Sequence, residues 1–411
     1  MRKSFFTFFI LFLLCFQVIG QNLGFQIVGK ARKVVIPFEL HNNLIVVPVV
    51  LNNQIPLKFV VDTGVRTAIL TEKAFSDILG LEYSRRFLIS GIGEKKQIEA
   101  YITNNVSLTL PGITGKGHAL LVLNEDYLEL RNYLGADVHG LLGYELFSRF
   151  IVKIDYDQKL LTLTTPDNFK LKRSYKKVDM DIIDTKPYIN GVISYDGVDS
   201  IRVKLLVDTG SSHGLLIEED SDDRIYIPDK HIRSELGRGL AGKLEGDIAR
   251  IKYFHIGKYC WKDPIVTFPV RNKTPLDSLK YGDSFRNGSV GGEILSRLKI
   301  ILDFSGEKIY IKKGKDFKDN FTYNLSGLNV KAKGSGLNTF EIVEVRKNSV
   351  GEEAGFQKGD IILSINNLKA ADMTLNNVLN FLNSKENKKL KIVIQRDDET
   401  LKKVFRLRSE I

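Results

Sequence analysis

Val60-Val61-Asp62-Thr63-Gly64 returns later in the chain as Leu206-Val207-Asp208-Thr209-Gly210, and this pair of stretches decides how the sequence is read. In each, an apolar run predicts a buried strand, and Asp-Thr-Gly predicts a tight turn presenting a carboxylate at its end. A single Asp-Thr-Gly is a common turn sequence, whereas two with matched surroundings form a pattern. Gly91-Ile92-Gly93 and Gly237-Arg238-Gly239 each begin 29 residues after their aspartate (62 to 91, 208 to 237). Gly143 and Gly291 follow the same aspartates by 81 and 83 residues (62 to 143, 208 to 291). Tyr144-Glu145-Leu146-Phe147-Ser148-Arg149-Phe150 then matches Gly292-Glu293-Ile294-Leu295-Ser296-Arg297-Leu298 in apolar pattern, in the glutamate and in Ser-Arg. The chain is an internal duplication whose repeat unit is a whole lobe.

Around these marks the sequence reads as strands. Val34 to Leu40, Leu44 to Leu51 and Ile55 to Val61 are β-branched runs, with Asn42-Asn43 and Asn52-Asn53 punctuating them as hairpin turns do. A short helical pattern covers Thr71 to Leu79, and a second helix-like stretch covers Tyr144 to Phe150. Thr165 to Lys186 and Gly314 to Tyr323 are charged and read as linkers. Beyond them, strand patterns at Phe340 to Val345, Ile361 to Ile365, Lys391 to Ile394 and Val404 to Leu407, with a helix near Leu375 to Leu382, make a separate small domain. The expected division is a leader at 1–20, a first lobe at 30–166, a second at 187–314 and the small domain at 324–411. The class is mostly β.

Met1 to Gly20 carries Arg2 and Lys3, then an apolar core from Phe5 to Phe16, then Val18-Ile19-Gly20, the layout of a cleaved export signal. Its apolar core is shorter than an ordinary membrane span, and Leu14 before Cys15 argues against lipoprotein processing. An exported protein in the periplasm or outside the cell, without a stable membrane span, is the expectation. Removing the leader leaves Cys260 as the sole cysteine, so no internal disulfide is expected. Lys and Arg number 60 against 49 Asp and Glu, giving a net charge of +11. These cations are scattered, with no aromatic-interleaved stripe, which argues against nucleic acid and for a solvated basic surface.

The chemistry follows from the two carboxylates. A pair within hydrogen-bond reach cannot both ionise cheaply, so they share one proton and their apparent pKa values split. The ionised member can then take a proton from water while the protonated one donates to a scissile carbonyl. No metal, cofactor or covalent intermediate is required. Two halves serving one site need an approximate two-fold axis, which a duplication supplies. Thr63 and Thr209 are expected to brace the turns by bonding across to the opposite loop. Gly64 and Gly210 let backbone N–H groups approach the carboxylates without a Cβ in the way. The reading is an aspartic endopeptidase acting on peptide or protein substrate, with Asp62 and Asp208 as its dyad.

With these residues in place, the chain resembles the retropepsin-like aspartic proteases, in the exported bacterial branch that carries a C-terminal PDZ domain. The resemblance covers nearly all of the sequence after the leader. It implies two β-barrel lobes fused into a single-chain pseudo-dimer, where the family usually pairs two chains. Gly140-Leu141-Leu142-Gly143 and Ser289-Val290-Gly291 match the apolar segment behind the catalytic triplets. Gly91, Ile92 and Gly93, and Gly237 and Gly239, correspond to flap hairpins over bound peptide. The family commonly places Ala or Ser after the triplet. Ser211 fits, while Val65 does not, and Gly292 stands where the first lobe has Tyr144, so the halves are unequal. By the same resemblance Gly327, Leu328, Asn329 and Val330 form a PDZ carboxylate-binding loop, with the peptide's C-terminus as partner beside a helix at Thr374 to Asn383. Ser349-Val350-Gly351 replaces the usual Ser-Pro-Ala. The competing function is a weak or inactive protease body serving as a PDZ peptide-binding module.

Other motifs carry less. Gly210-Ser211-Ser212-His213-Gly214 fits a serine-hydrolase elbow, which needs a helix to follow, whereas Leu215-Leu216-Ile217 reads as a strand. Cys260 beside Trp261 reads as a core cysteine. The six histidines lack metal-ligand spacing. Glu145 with Arg149, and Glu293 with Arg297, are expected i,i+4 ion pairs.

Overall fold

The computed structural model describes residues 23–89, 97–240, 242–270 and 286–411. The leader at Met1 to Gly20 and the Gly91-Ile92-Gly93 flap position lie outside the described residues. The strands of the described residues fall into four sheets. The first lobe is one nine-stranded sheet, the second a ten-stranded one. Paired asparagines make the predicted turns: Asn42-Asn43 and Asn52-Asn53 all hold positive φ, the left-handed conformation that a two-residue hairpin turn needs and asparagine tolerates.

The same three-strand crossing sits at the heart of each lobe. Ile55–Val61 runs parallel to Gly140–Leu142, which is antiparallel to Ala68–Leu70. In the second lobe Ile201–Val207 runs parallel to Gly288–Val290, which is antiparallel to Leu215–Ile217. Glycine at 140 and 288 makes the crossing close: a Cβ would come within 2.2 Å of the Ile69 carbonyl oxygen in one lobe and 1.9 Å of Leu216 in the other. The strands that carry the aspartates end in residues with no solvent exposure, Val60 and Val61 in one lobe and Val207 in the other. Burial on that scale, about 25 cal/mol per Å² of apolar surface, fixes the turns that follow.

A third sheet of six strands joins the lobes. Its centre is Ile151–Asp155 paired antiparallel with Leu298–Asp303, in register Val152 with Leu302 and Ile154 with Ile300. These are equivalent strands of the two repeats, so the approximate two-fold axis passes between them. The stretch read from sequence as the first linker joins this sheet, through Lys176–Asp179 beside Lys308–Lys313. The second is likewise packed: Phe317, Phe321 and Tyr323 are buried, and Arg297 donates to the carbonyls of Asp316, Asp319 and Asn320. Charged composition hid the apolar residues spaced through both stretches.

The fourth sheet, of six strands, and the helix Leu375–Leu382 form the C-terminal unit. Thr374 and Asn377 close a capping box on that helix. Among the described residues no helix is long and apolar enough to cross a membrane.

Candidate active site

The turns after the two matched strands meet at the axis. Each aspartate's backbone N–H bonds to the strand behind it, Asp62 to the Leu142 carbonyl and Asp208 to the Val290 carbonyl, both at 2.9 Å. Each carboxylate accepts from the glycine two residues on, Gly64 at 2.7 Å and Gly210 at 3.0 Å. The threonines cross over as the sequence reading expects. Thr63 Oγ1 donates to the Val207 carbonyl at 2.5 Å and accepts from the Thr209 N–H at 3.0 Å. Thr209 Oγ1 donates to the Val61 carbonyl at 2.8 Å and accepts from the Thr63 N–H at 3.1 Å. Four buried hydrogen bonds thus lock one lobe's turn to the other's.

The carboxylates converge. A Cβ on Gly64 would lie 3.1 Å from Asp62 Oδ1 and 3.6 Å from Asp208 Oδ1, so both acids reach one point. A Cβ on Gly210 would lie 2.1 Å from the Asp62 carboxyl carbon; only glycine leaves that carboxylate its place. Burial raises the Asp62 carboxyl, Asp208 raises it further, and together they push it up to about 8. Burial also raises Asp208, but Arg286, the Gly210 N–H, Lys186 and the Ser211 N–H pull it back. The dyad is therefore unequal: Asp62 has one glycine N–H donor, and Asp208 has two N–H donors and a nearby arginine. Both carboxyls are raised, and the arginine and the extra N–H donor bias the shared proton toward Asp62.

Departures from the symmetric pattern have local causes. Val65 packs its side chain on the first lobe's apolar cluster, and its carbonyl accepts from the Tyr144 N–H at 2.8 Å. Gly292 has no room for a side chain, since a Cβ would sit 2.6 Å from the Asn43 carbonyl oxygen. The segment after Ser212 is the strand Leu215–Ile217, so no nucleophile elbow forms. Two side-chain expectations are corrected. Cys260 is exposed, because alternation along Tyr259–Lys262 turns Tyr259 and Trp261 inward and the thiol outward. Glu145 pairs with buried His118 at 2.6 Å, while Arg149 donates to the Leu23 carbonyl; Glu293 and Arg297 do approach, at 3.8 Å.

Gly237 and Gly239 lie on the hairpin of His231–Gly239 with Gly242–Arg250. Its tip residue Leu240 packs on the first lobe's apolar cluster, which includes Val60 and Leu141 and against which Val65 also packs, so the hairpin crosses toward the opposite lobe. Arg238 ties it there. Its guanidinium meets Glu129 at 3.1 Å, donates to the Tyr127 carbonyl at 3.4 Å and lies 5.1 Å from the Tyr133 ring centre. Sequence reasoning passed over Arg238, Glu129 and Tyr133; the arginine between two glycines was the one visible sign.

In the C-terminal unit Gly327 takes φ of +75°, and Leu328, Asn329 and Val330 open the edge strand Leu328–Lys333. The loop's donors are engaged within it: the Gly327 N–H bonds Asn324 Oδ1 at 3.1 Å, and the Leu328 N–H bonds Ser326 Oγ at 3.2 Å. Glycine at 351 follows from packing, because a Cβ would meet Leu328 Cδ2 at 2.6 Å.

A family model described as "Aspartyl protease" matches residues 47–146, and one described as "PDZ domain" matches residues 341–396. No curated protein matches the chain. Among solved structures it is similar to a retropepsin-like aspartic protease from Rickettsia conorii, at 22% identity over 35% of this chain and 96% of that one, with TM-score 0.24. It is also similar to a photosystem II D1 C-terminal processing protease, at 17% identity over 21% of this chain, with TM-score 0.20. This chain spans 23% of the length of that second protein. The Asp62 turn lies within the stretch that matches the aspartyl protease model, and the Asp208 turn repeats it on equivalent crossed strands of the second lobe. The chain thus joins a two-lobed β body, whose first lobe carries the aspartyl protease match, to a C-terminal unit that carries the PDZ match.

Proposed function

We propose that the chain is an exported aspartic endopeptidase that hydrolyses peptide bonds with water activated between Asp62 and Asp208, its PDZ domain binding peptide or substrate termini. The observation that carries this reading is the convergence of the two carboxylates on one point, inside turns locked by Thr63 and Thr209. Asp208, the member of the pair whose charge Arg286 and two N–H donors favour, accepts a proton from water, and the oxygen attacks the scissile carbonyl carbon. Asp62, carrying the shared proton, donates it to the carbonyl oxygen, giving a neutral gem-diol. Collapse of that diol returns a proton to the leaving amine and restores the dyad. The leader-like composition of residues 1–20 supports export to the periplasm or beyond.

A peptide-library digest from acid to neutral pH tests the reading, comparing the native chain with Asp62→Asn and Asp208→Asn. Loss of the same cleavages in either single variant supports it. Equal background cleavage in all three overturns it and leaves a PDZ module on a silent body.

A further inference from the structure

The PDZ strand Leu328–Lys333 lies at the end of its sheet, paired on one side with Thr339–Val345. Along its other edge packs a short helix of the first protease lobe, Leu130–Leu134. Asn132 Nδ2 donates to the Ala332 carbonyl at 2.8 Å, taking an acceptor of that strand edge. Arg131 donates to the Ser335 carbonyl at 2.8 Å, and Lys331 Nζ meets Glu129 Oε2 at 2.8 Å. Gly135 abuts Leu375, the first residue of the PDZ helix, so closely that a Cβ would lie 2.5 Å from that side chain's own. The lobe segment from Glu129 to Gly135 therefore occupies the groove between edge strand and helix, where an added peptide strand would lie.

Glu129 is also the residue that holds the second lobe's hairpin. One carboxylate oxygen faces Lys331 of the PDZ domain, and the other faces Arg238 of the hairpin. A second tie runs directly between the units: the Glu235 N–H donates to Glu344 Oε2 at 3.2 Å, with Lys243 within 3.9 Å of Glu344 and 3.6 Å of Glu235. The hairpin so held rests its tip on the same first-lobe cluster that takes Val65, the residue following the Asp62 turn.

We propose that the PDZ domain is an internal latch: its groove takes this chain's own segment Glu129–Gly135 as ligand, and through Glu129 and Glu344 it holds the second lobe's hairpin closed over the dyad. A peptide entering that groove has to displace Asn132 and Gly135 first, and doing so strips Glu129 of its PDZ partner. The latch is a property of the fold; its effect on cleavage rests on the endopeptidase reading.

Hydrogen–deuterium exchange on the full chain tests it, with three variants. Lys331→Glu sets two carboxylates against each other at the Glu129 contact. Asn132→Asp sets a carboxylate against the Ala332 carbonyl, with no change to the PDZ domain itself. Lys389→Glu makes the same charge change at an exposed PDZ position away from the contact. The first two are expected to speed exchange in 129–135 and in the hairpin 231–239 by at least about threefold, the factor a modest ion pair carries. The third leaves both segments unchanged, and unaltered exchange in 361–365 reports an intact PDZ fold. Hairpin exchange that stays at the native rate in both contact variants overturns the proposal. If it rises yet no form of the chain cleaves peptide, the latch stands and the endopeptidase reading fails. If cleavage is present, kcat/KM of both contact variants rises by at least about the same threefold factor.

Discussion

Replacing Asp62 by asparagine probes the dyad through stability, without needing a substrate. In the folded chain burial and Asp208 push this carboxyl up to about 8, while in the unfolded chain it titrates near 3.9. A carboxyl whose folded value is raised stabilises the fold relative to its ionised reference only below the unfolded value. As pH climbs past about 4 the unfolded chain releases the proton and the folded chain keeps it, so stability falls until the folded value is passed. From about 4 to pH 7 is roughly three units, and at 1.36 kcal/mol each the ceiling is about 4 kcal/mol. Sharing of the proton with Asp208 divides the penalty between two acids, and about 2 kcal/mol is expected at pH 7. Asparagine keeps the shape and the acceptor for the Gly64 N–H, and it offers Asp208 a donor. The variant should therefore match the native chain at pH 4 and exceed it by about 2 kcal/mol at pH 7, with titrating groups other than Asp208 cancelling in the difference. Urea unfolding followed by the single tryptophan, Trp261, which is buried in the second lobe, supplies the measurement. A difference that does not change between pH 4 and 7, or a variant that loses ground as pH rises, refutes the argument.

Thr63→Val removes a hydroxyl that both donates to Val207 and accepts from Thr209, leaving two buried backbone groups unpaired; the cost should be about 2–4 kcal/mol by urea unfolding, with Thr63→Ser nearly neutral. Gly210→Ala drives a methyl into the Asp62 carboxylate and should lower kcat on a peptide substrate by about a hundredfold or more while the far-ultraviolet spectrum is retained. Arg396→Met leaves buried Asp360 without its bidentate partner at 2.7 and 2.8 Å and should destabilise the PDZ domain by about 3 kcal/mol, read by exchange in the strand 389–396. Cleavage should depend on pH as a bell whose upper limb reports loss of the proton held by Asp62, and Arg286→Met, which removes a cation that favours charged Asp208, should move the lower limb to higher pH.

Local patterns carried much of the architecture. The duplicated Asp-Thr-Gly, the glycines at equal offsets and the asparagine pairs at turns each constrain the backbone within a few residues of themselves, and such constraints are written in the sequence. Thr63 and Thr209 could be assigned to the opposite loop because two copies of one turn facing each other leave a threonine no nearer partner. Charged side chains behaved differently. Glu145 looked bound to Arg149 four residues on, yet it took His118, which a neighbouring strand brings to 2.6 Å. The linkers looked solvated by composition, yet one supplies a strand and the other buries two phenylalanines and a tyrosine. Cys260 was misread although the information was local: strand alternation set Trp261 inward and the thiol outward.

By itself the sequence determined that two like lobes exist, that each offers one carboxylate at a strand end, and that a third small unit follows. Those are consequences of periodicity and turn chemistry, which depend on neighbours along the chain. Tertiary structure alone decided which acid is the better placed to carry the charge, because Arg286 reaches Asp208 from a distant position in the sequence. It alone decided that Glu129 stands between the PDZ domain and the hairpin, a meeting of residues 129, 238 and 331 that no local pattern encodes. A long side chain takes whichever partner the packed backbone brings within about 3 Å, and that choice is made only when the lobes have come together.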